Sequence, residues 1–426
     1  MTFWLASACA LGALPACKSQ PGNAAAASSS AALPSSIVAA GAPAAVAPVR
    51  GVPRAMASPP ALPVSVDGGA GCRLLRGPIE LPLRSPPELG LRGDNLEVIQ
   101  NDDGRPRALS FPIVPVLPPT SAPPAPELNA SPAAAGYAVP CAFAGERVFC
   151  ADHTGAVHRA ARDGSGDRVA GSSRAGSRLA ASPLAGSHTA LGYLASRQTT
   201  EGWTSEAWLV VDDEAPVRLS EDGSGATSLA LAPRGEAVLA LTVDARAALT
   251  AMHARPITFD AGARAARLGE DAVVFVGGPG DRRTRGALLL PGTHEPAFAL
   301  LPIAKDVSTF GLALVRLDDP PRVDEPVSWS MYENGLDPAP IAATTAAGRS
   351  WAARVVPRDA SPGSARVLEL GSIDAEGGFS PYAILPTTGK PADVSLVGDP
   401  GGALWLAWVD AGGSWLERLA CPPVRR

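Results

Sequence analysis

From Cys72 to the C-terminus, no long stretch carries the periodicity of an amphipathic helix. The chain offers instead short apolar runs with β-branched and aromatic residues, each stopped by Gly, Asp or Pro. This constrains the fold more than any other feature, because runs of this length suit strands and are too short for stable helices. Candidate strands are Leu96–Gln100, Arg147–Ala151, Ala190–Ala195, Ala207–Val211 and Val238–Val243, followed by Ala272–Val276, Phe310–Arg316, Trp351–Val356 and Ala403–Val409. Polar turns separate them, among them Asp102-Asp103-Gly104, Asp163-Gly164-Ser165-Gly166-Asp167, Glu221-Asp222-Gly223-Ser224-Gly225 and Gly277-Gly278-Pro279-Gly280. Many short strands punctuated this way mean an all-β sandwich, barrel or propeller.

Spacing selects among these. The most apolar strand of each group recurs every 35 to 55 residues or so, roughly one four-stranded sheet per repeat. The unit is clearest at the C-terminus, with strands at Asp393–Gly398, Ala403–Val409 and Ser414–Leu419. The middle one is apolar on both faces, as a strand covered by neighbouring sheets must be. Trp351 matches the strand position of Trp405. Residues 228–243 read SLALAPRGEAVLALTV after an EDGSG turn. This resembles the repeat of TolB-type, WD-repeat-like propellers, with Ala232-Pro233-Arg234-Gly235 where those carry Ser-Pro-Asp-Gly. The resemblance covers one repeat closely and the rest by spacing, and it implies fold only. The expectation is an all-β, seven- or eight-bladed β-propeller over residues 71–426, closed by an N-terminal strand. Eight candidate second strands can be counted. A Pro-rich stretch near Val116–Ala135 follows the first group (Leu89–Val114), and a loop of that length counts against an eighth blade.

The N-terminus reads as export machinery. Phe3–Ala16 is apolar but shorter than the 20 or so residues a membrane-spanning helix needs, and it suits a signal-peptide core. It ends in Leu14-Pro15-Ala16-Cys17, which resembles the lipobox of bacterial lipoproteins and implies that Cys17 receives lipid. Cys9, after Ser7-Ala8, is the lesser lipidation candidate, and cleavage without lipid is the alternative. Residues 18–70 are Ala, Ser, Pro and Gly with almost no aromatic side chain. They cannot bury enough apolar area to offset the entropy of ordering, so they are expected to form a disordered tether. Extended at about 3.1 Å per residue, such a segment reaches well over 100 Å or so. The Ala, Pro, Gly and Arg bias resembles that of GC-rich bacteria such as myxobacteria. The expected location is the periplasm, outer membrane or cell surface, with the lipid as sole membrane contact.

Four cysteines then remain, Cys72, Cys141, Cys150 and Cys421, and an exported chain with an even number is expected to pair them. Cys141–Cys150 reads as a hairpin with Gly145-Glu146 as its two-residue turn, Gly first as a type II′ turn requires. Counting outward, Cys141 and Cys150 fall at a non-hydrogen-bonded pair, where Cα atoms approach to about 4.5 Å. Cys72 and Cys421 bracket the domain and meet if the strand from Arg73 to Pro82 joins the last sheet. The competing use of Cys141, Cys150, His153 and His158 is zinc, from their C-x8-C-x2-H-x4-H spacing. The disulfides are favoured.

Signals of chemistry are sparse. The formal charge is −5 with no Lys/Arg run, which excludes the footprint of a nucleic-acid binder. No Gly-x-Ser-x-Gly elbow or Walker loop occurs. Val273–Gly280 lacks the third glycine and the helix of a dinucleotide turn, so it reads as strand plus turn. His188, His253 and His294 are scattered and are expected to act without a carboxylate partner. Asp212-Asp213-Glu214, Asp318-Asp319 and Asp324-Glu325 have the oxygens a calcium ion wants, but they read first as solvated turns. No catalytic, metal or cofactor residue is assigned. Trp351, Trp405, Trp408 and Trp415 are expected to pack between sheets. Trp203, in a polar turn after Thr199-Thr200-Glu201-Gly202, is the candidate exposed contact residue. The leading expectation is a monomeric, non-catalytic binding or scaffold module for a protein or cell-envelope component. The alternative is a propeller enzyme, a lyase or hydrolase, with its site in the central funnel. Three or more converging ionisable groups with shifted pKa would favour the enzyme, and a lining of Ala, Ser and Gly the scaffold.

Overall fold

The computed structural model describes residues 64–65 and 71–421, apart from 114–139, 162–164, 167, 175–176, 201, 247–248, 261, 278–287, 290–297, 305–308, 319–320, 324–330, 333–340, 359–364, 375–377 and 390. The chain divides into two units, Met1–Ala55 and Met56–Arg426, and the first lies outside the described residues. So do Cys9, Cys17, His294 and the Val116–Ala135 stretch.

Two strands precede the repeat, β1 (Val64–Ser65) and β2 (Arg73–Glu80). The remaining strands form sheets in chain order. Sheet 1 holds β3 (Pro87–Arg92), β4 (Asn95–Asp102) and β5 (Arg105–Pro112). Sheet 2 holds β6 (Ala142–Ala144), β7 (Arg147–Ala151), β8 (Ala156–Ala161) and β9 (Arg168–Ser172). Sheet 3 holds β10 (Ala180–Leu184), β11 (His188–Thr199), β12 (Gly202–Val211) and β13 (Val217–Arg218). In sheet 4, β14 (Ala226–Arg234), β15 (Ala237–Arg246), β16 (Leu249–Asp260) and β17 (Ala265–Leu268) are joined by β18 (Ala272–Gly277), which also pairs with β16. Sheet 5 contains β19 (Leu288–Leu289), β20 (Phe298–Ala304), β21 (Thr309–Arg316), β22 (Arg322–Val323) and β23 (Met331–Tyr332). Sheet 6 contains β24 (Ile341–Ala346), β25 (Arg349–Pro357), β26 (Arg366–Ile373) and β27 (Phe379–Leu385), with β1 on its outer edge. Sheet 7 contains β28 (Asp393–Gly398), β29 (Leu404–Val409) and β30 (Ser414–Ala420), and β2 supplies its fourth strand. The described residues thus form seven sheets, all antiparallel.

The sheets make a ring. First strands neighbour one another in turn: β6 with β10, β10 with β14, β14 with β19, β19 with β24, β24 with β28, and β28 with β3. The circuit closes where Phe143 of β6 packs on Gly90 of β3, so closely that a β-carbon there would collide with the ring. This is a β-propeller. Six apolar clusters fill wedges between adjacent sheets, one of them Leu96, Val98, Phe111, Trp405 and Leu416 between sheets 7 and 1. Strand β29 is buried throughout. Leu404, Leu406 and Trp408 face sheet 6 while Trp405 and Ala407 face sheet 1, the two-sided burial its sequence requires.

Ring closure follows the cysteines. Strand β2 pairs with β30, Arg73 opposite Ala420, and one residue outward Cys72 and Cys421 have sulfurs 2.02 Å apart. In sheet 2, Ala142 pairs with Phe149 and Ala144 with Arg147, as counted from the turn. Cys141 and Cys150 are disulfide-bonded there with Cα atoms 4.4 Å apart.

Three features differ from expectation. Val64–Ser65, inside the stretch read as tether, pairs with Ile384 and Ala383 of β27. Ala272–Val276 is an outer fifth strand, and Phe310–Arg316 belongs to the third strand of its sheet. Third strands are also covered by adjacent sheets, so apolar runs do not identify second strands alone. Sheet 1 has three strands among the described residues. Its outer strand β5 carries Pro106 and Pro112. Ile113 donates to Asp94 O at 2.8 Å, which continues the β4–β5 ladder and puts both prolines at positions whose nitrogen faces outward. An edge without those two N–H groups resists further pairing.

Candidate functional site

Strand direction sorts the loops onto two faces. The upper face carries the starts of the first strands and the turns between second and third strands. The lower face carries the first-to-second and third-to-fourth turns, together with the Cys72–Cys421 junction.

At the upper end of the axis three ionisable side chains meet from three sheets. Glu88 lies near the start of β3, Asp393 starts β28, and Arg178 precedes β10. Arg178 forms an ion pair with Asp393, bridging sheets 3 and 7, which are not neighbours; the pair spans the channel. Half of the Arg178 side chain stays open (51%). Asp393 anchors itself by accepting from Val394 N at 2.8 Å. Burial pushes the Glu88 carboxyl up to about 7, Arg178 pulling it down and Asp393 pushing it up. The Arg178 guanidinium is raised, chiefly by Asp393. Two first strands are rich in small residues, Ala180-Ala181-Ser182 in β10 and Ala342-Ala343-Thr344-Thr345-Ala346 in β24, and Ala342, Ala343 and Ala346 pack in the wedge with sheet 7. The upper end of the axis is therefore an ionisable mouth.

The same face carries Trp203. Strands β11 and β12 pair from Ala190/Val211 out to Thr199/Gly202, and Trp203 sits near the tip with 74% of its surface exposed. The base of this arm is fixed by charge. Buried Glu206 accepts from Arg197 at 2.9 Å, and Asp222 binds Arg197 at 2.5 Å and Arg218 at 3.2 Å. At the tip, Thr199 Oγ1 donates to Gly202 O at 2.9 Å. A large aromatic on a fixed arm is a ready contact surface.

The histidines are not isolated. His188 Nδ1 lies 2.6 Å from Asp212 Oδ2, His253 Nδ1 3.0 Å from Asp271 Oδ2, His153 Nδ1 3.0 Å from Asp103, and His158 Nε2 3.1 Å from Asp152. The expectation that His188 and His253 lack a carboxylate neighbour is corrected: their partners lie 24 and 18 residues away in sequence. The zinc reading fails, because Cys141 and Cys150 are joined to each other and both histidines are engaged by aspartates. Among the described residues no group of three His, Cys, Asp or Glu is placed to hold a metal ion. The Asp212-Asp213-Glu214 turn spends its carboxylates separately, on His188, on Arg159 and Arg168, and on Arg264. Asp319, Asp324, Glu325, Asp163, Gly164 and Asp167 lie outside the described residues. Of the four tryptophans expected between sheets, Trp405 and Trp408 are fully buried and Trp351 and Trp415 nearly so.

No helix among the described residues is long and apolar enough to cross a membrane. No family model matches the chain, and no curated protein matches it by sequence. Solved structures similar to it include the N-terminal domain of Nup159 (12% identity, TM-score 0.43, covering 82% of this chain and 95% of that one). Others are the Myceliophteria thermophila Cps50 (Swd1) beta-propeller domain (11%, 0.42, 85% and 100%) and U3-55K (11%, 0.43, 82% and 98%). At this identity they bear on neither partner nor activity.

Proposed function

We propose that the protein is an exported binding module, held by lipid on Cys17 and a tether over residues 18–70, that engages a protein or cell-envelope partner through its upper face. The observation that carries this is Trp203, 74% exposed on a hairpin whose base is locked by ion pairs. An exposed indole of this size favours contact with a partner, since Trp is enriched where binding energy concentrates. The two cysteine pairs fit an oxidising compartment. The module acts as a monomer and needs no cofactor.

The test is cross-linking in the intact cell envelope from a photoreactive residue at 203, beside palmitate labelling of wild type and Cys17→Ser. The expected result is a discrete adduct from position 203, a partner that co-purifies with wild type and is lost with Trp203→Ala, and labelling that requires Cys17. An unchanged partner set with Trp203→Ala overturns the docking surface, and labelling that survives Cys17→Ser overturns the anchor.

One observation favours a second reading, a propeller enzyme with lyase or hydrolase activity at the axis. Glu88 titrates near neutrality, as a general acid or base does. A Glu88→Gln chain that keeps its partner while losing a turnover measured in wild type supports that reading.

A further inference from the structure

We propose that the cleft on the lower face, between the turns of sheets 2, 3 and 4, binds a small molecule bearing a single carboxylate, gripped by Arg147 and His188. The cleft is open and holds about 510 Å³, within the range of small-ligand sites. It lies on the face opposite Trp203, so it is separate from the partner surface.

The carboxylates of the cleft already have partners. Of the carboxylates lining the cleft, Asp212 is taken by His188 and by Thr189 N at 3.0 Å. Asp213 is taken by Arg159 at 2.6 Å and Arg168 at 3.0 Å, and Glu214 by Arg264 at 2.7 Å. Arg147 is left over. It stands exposed at the start of β7 on the cleft wall, and its guanidinium has no hydrogen-bond or ion-pair partner among the described residues. A guanidinium presents two parallel N–H groups that match a carboxylate fork.

His188 supplies the second contact. Its Nδ1 is committed to Asp212, which sits at φ +50 and is held from behind by Arg159 donating to its carbonyl at 3.0 Å. The ring leans on Phe259, with centroids 4.2 Å apart. Nδ1–H donates to Asp212, so Nε2 carries a hydrogen only when the ring is an imidazolium, and in that form it donates to the ligand carboxylate. Gly186 keeps this edge of the ring open, because a β-carbon there would come within 3.5 Å of Nε2. Phe259 adds an apolar wall for the body of the ligand. Three arginines and the His188 imidazolium face three carboxylates, a surplus of one positive charge that suits a singly charged carboxylate better than a phosphate dianion.

The test is calorimetric titration of the full chain with benzoate, with benzamide as the uncharged isostere, and with inorganic phosphate. Benzoate is expected to saturate and benzamide to fail. Arg147→Ala is expected to weaken benzoate about tenfold or more, and Arg147→Lys to lose part of that by keeping charge without the fork. Trp203→Ala is expected to bind benzoate as wild type does, which separates this site from the partner surface. Arg147 is exposed, and an unchanged unfolding transition confirms that its variants fold. Benzoate that does not saturate, phosphate that binds more tightly than benzoate, or a folded Arg147→Ala chain with unchanged affinity overturns the proposal.

Discussion

Removing the two disulfides one at a time measures how much each closes. Cys72–Cys421 joins residues 349 apart, and Cys141–Cys150 joins residues nine apart. Loop-closure entropy grows with the logarithm of loop length, so the two crosslinks differ by about 3 kcal/mol at room temperature. In absolute terms the same relation gives about 2–3 kcal/mol for the hairpin bond and about 6 kcal/mol for the ring-closing bond. Cys141 and Cys150 lie in the wedge between sheets 1 and 2 beside Ile99 and Val148, and two serines there also bury hydroxyls, which narrows the gap. The assay is equilibrium urea unfolding of Cys72→Ser/Cys421→Ser and of Cys141→Ser/Cys150→Ser, followed by tryptophan emission. Trp405, Trp408 and Trp415 are buried in sheet 7, the sheet whose closure the first variant weakens. The ring variant is expected to be the less stable of the two. Equal losses, or a larger loss in the hairpin variant, refute the reasoning.

Further outcomes follow from single residues. Asp410 accepts from the indoles of Trp408 (3.2 Å) and Trp415 (3.3 Å), from Thr388 N and Oγ1 (2.9 Å each), and from Gly412 N (2.8 Å) and Gly413 N (3.2 Å). Asp410→Ala is therefore expected to cost about 3 kcal/mol or more in urea unfolding, with Asp410→Asn recovering part. Burial pushes Glu417 up to about 7, and its Oε2 has no hydrogen-bond partner. The folded chain then keeps a proton that the unfolded chain releases, so this residue's contribution is full below about pH 4.5 and is lost as pH rises through about 7, a change of about 3 kcal/mol. Glu417→Gln is expected to be more stable than wild type at alkaline pH and to match it in acid; no gain in alkali contradicts this. Trp203→Ala is expected to leave the melting transition within about 0.5 kcal/mol of wild type, because its side chain is exposed.

The parts of this fold legible in the sequence are those set by local rules. The Cys141–Cys150 hairpin follows from a two-residue turn and strand alternation. The repeat at Thr227–Val243 spans β14 and β15, and the C-terminal strands begin within a residue or so of where alternation and turns put them. Ring closure was legible because two cysteines bracket the repeat. Trp203 was legible because an indole in a polar turn has nothing nearby to cover it. What could not be read were contacts made by the ring itself. Arg178 and Asp393 are 215 residues apart and meet only because sheets 3 and 7 face each other across the axis. The aspartates that orient His153 and His188 sit in turns on other strands, and no spacing rule connects them. Arg147 carries no sequence signal, since what marks it is that its neighbours' charges are already taken.

The most direct test of the closed ring is disulfide mapping of the chain, purified under oxidising conditions, by peptide mass spectrometry without reduction. The account predicts one cross-linked peptide pair containing Cys72 and Cys421 and a second species holding Cys141 bonded to Cys150. Cys72 found bonded to Cys141 or Cys150, or both end cysteines found as free thiols, contradicts a propeller whose first strand completes its last sheet.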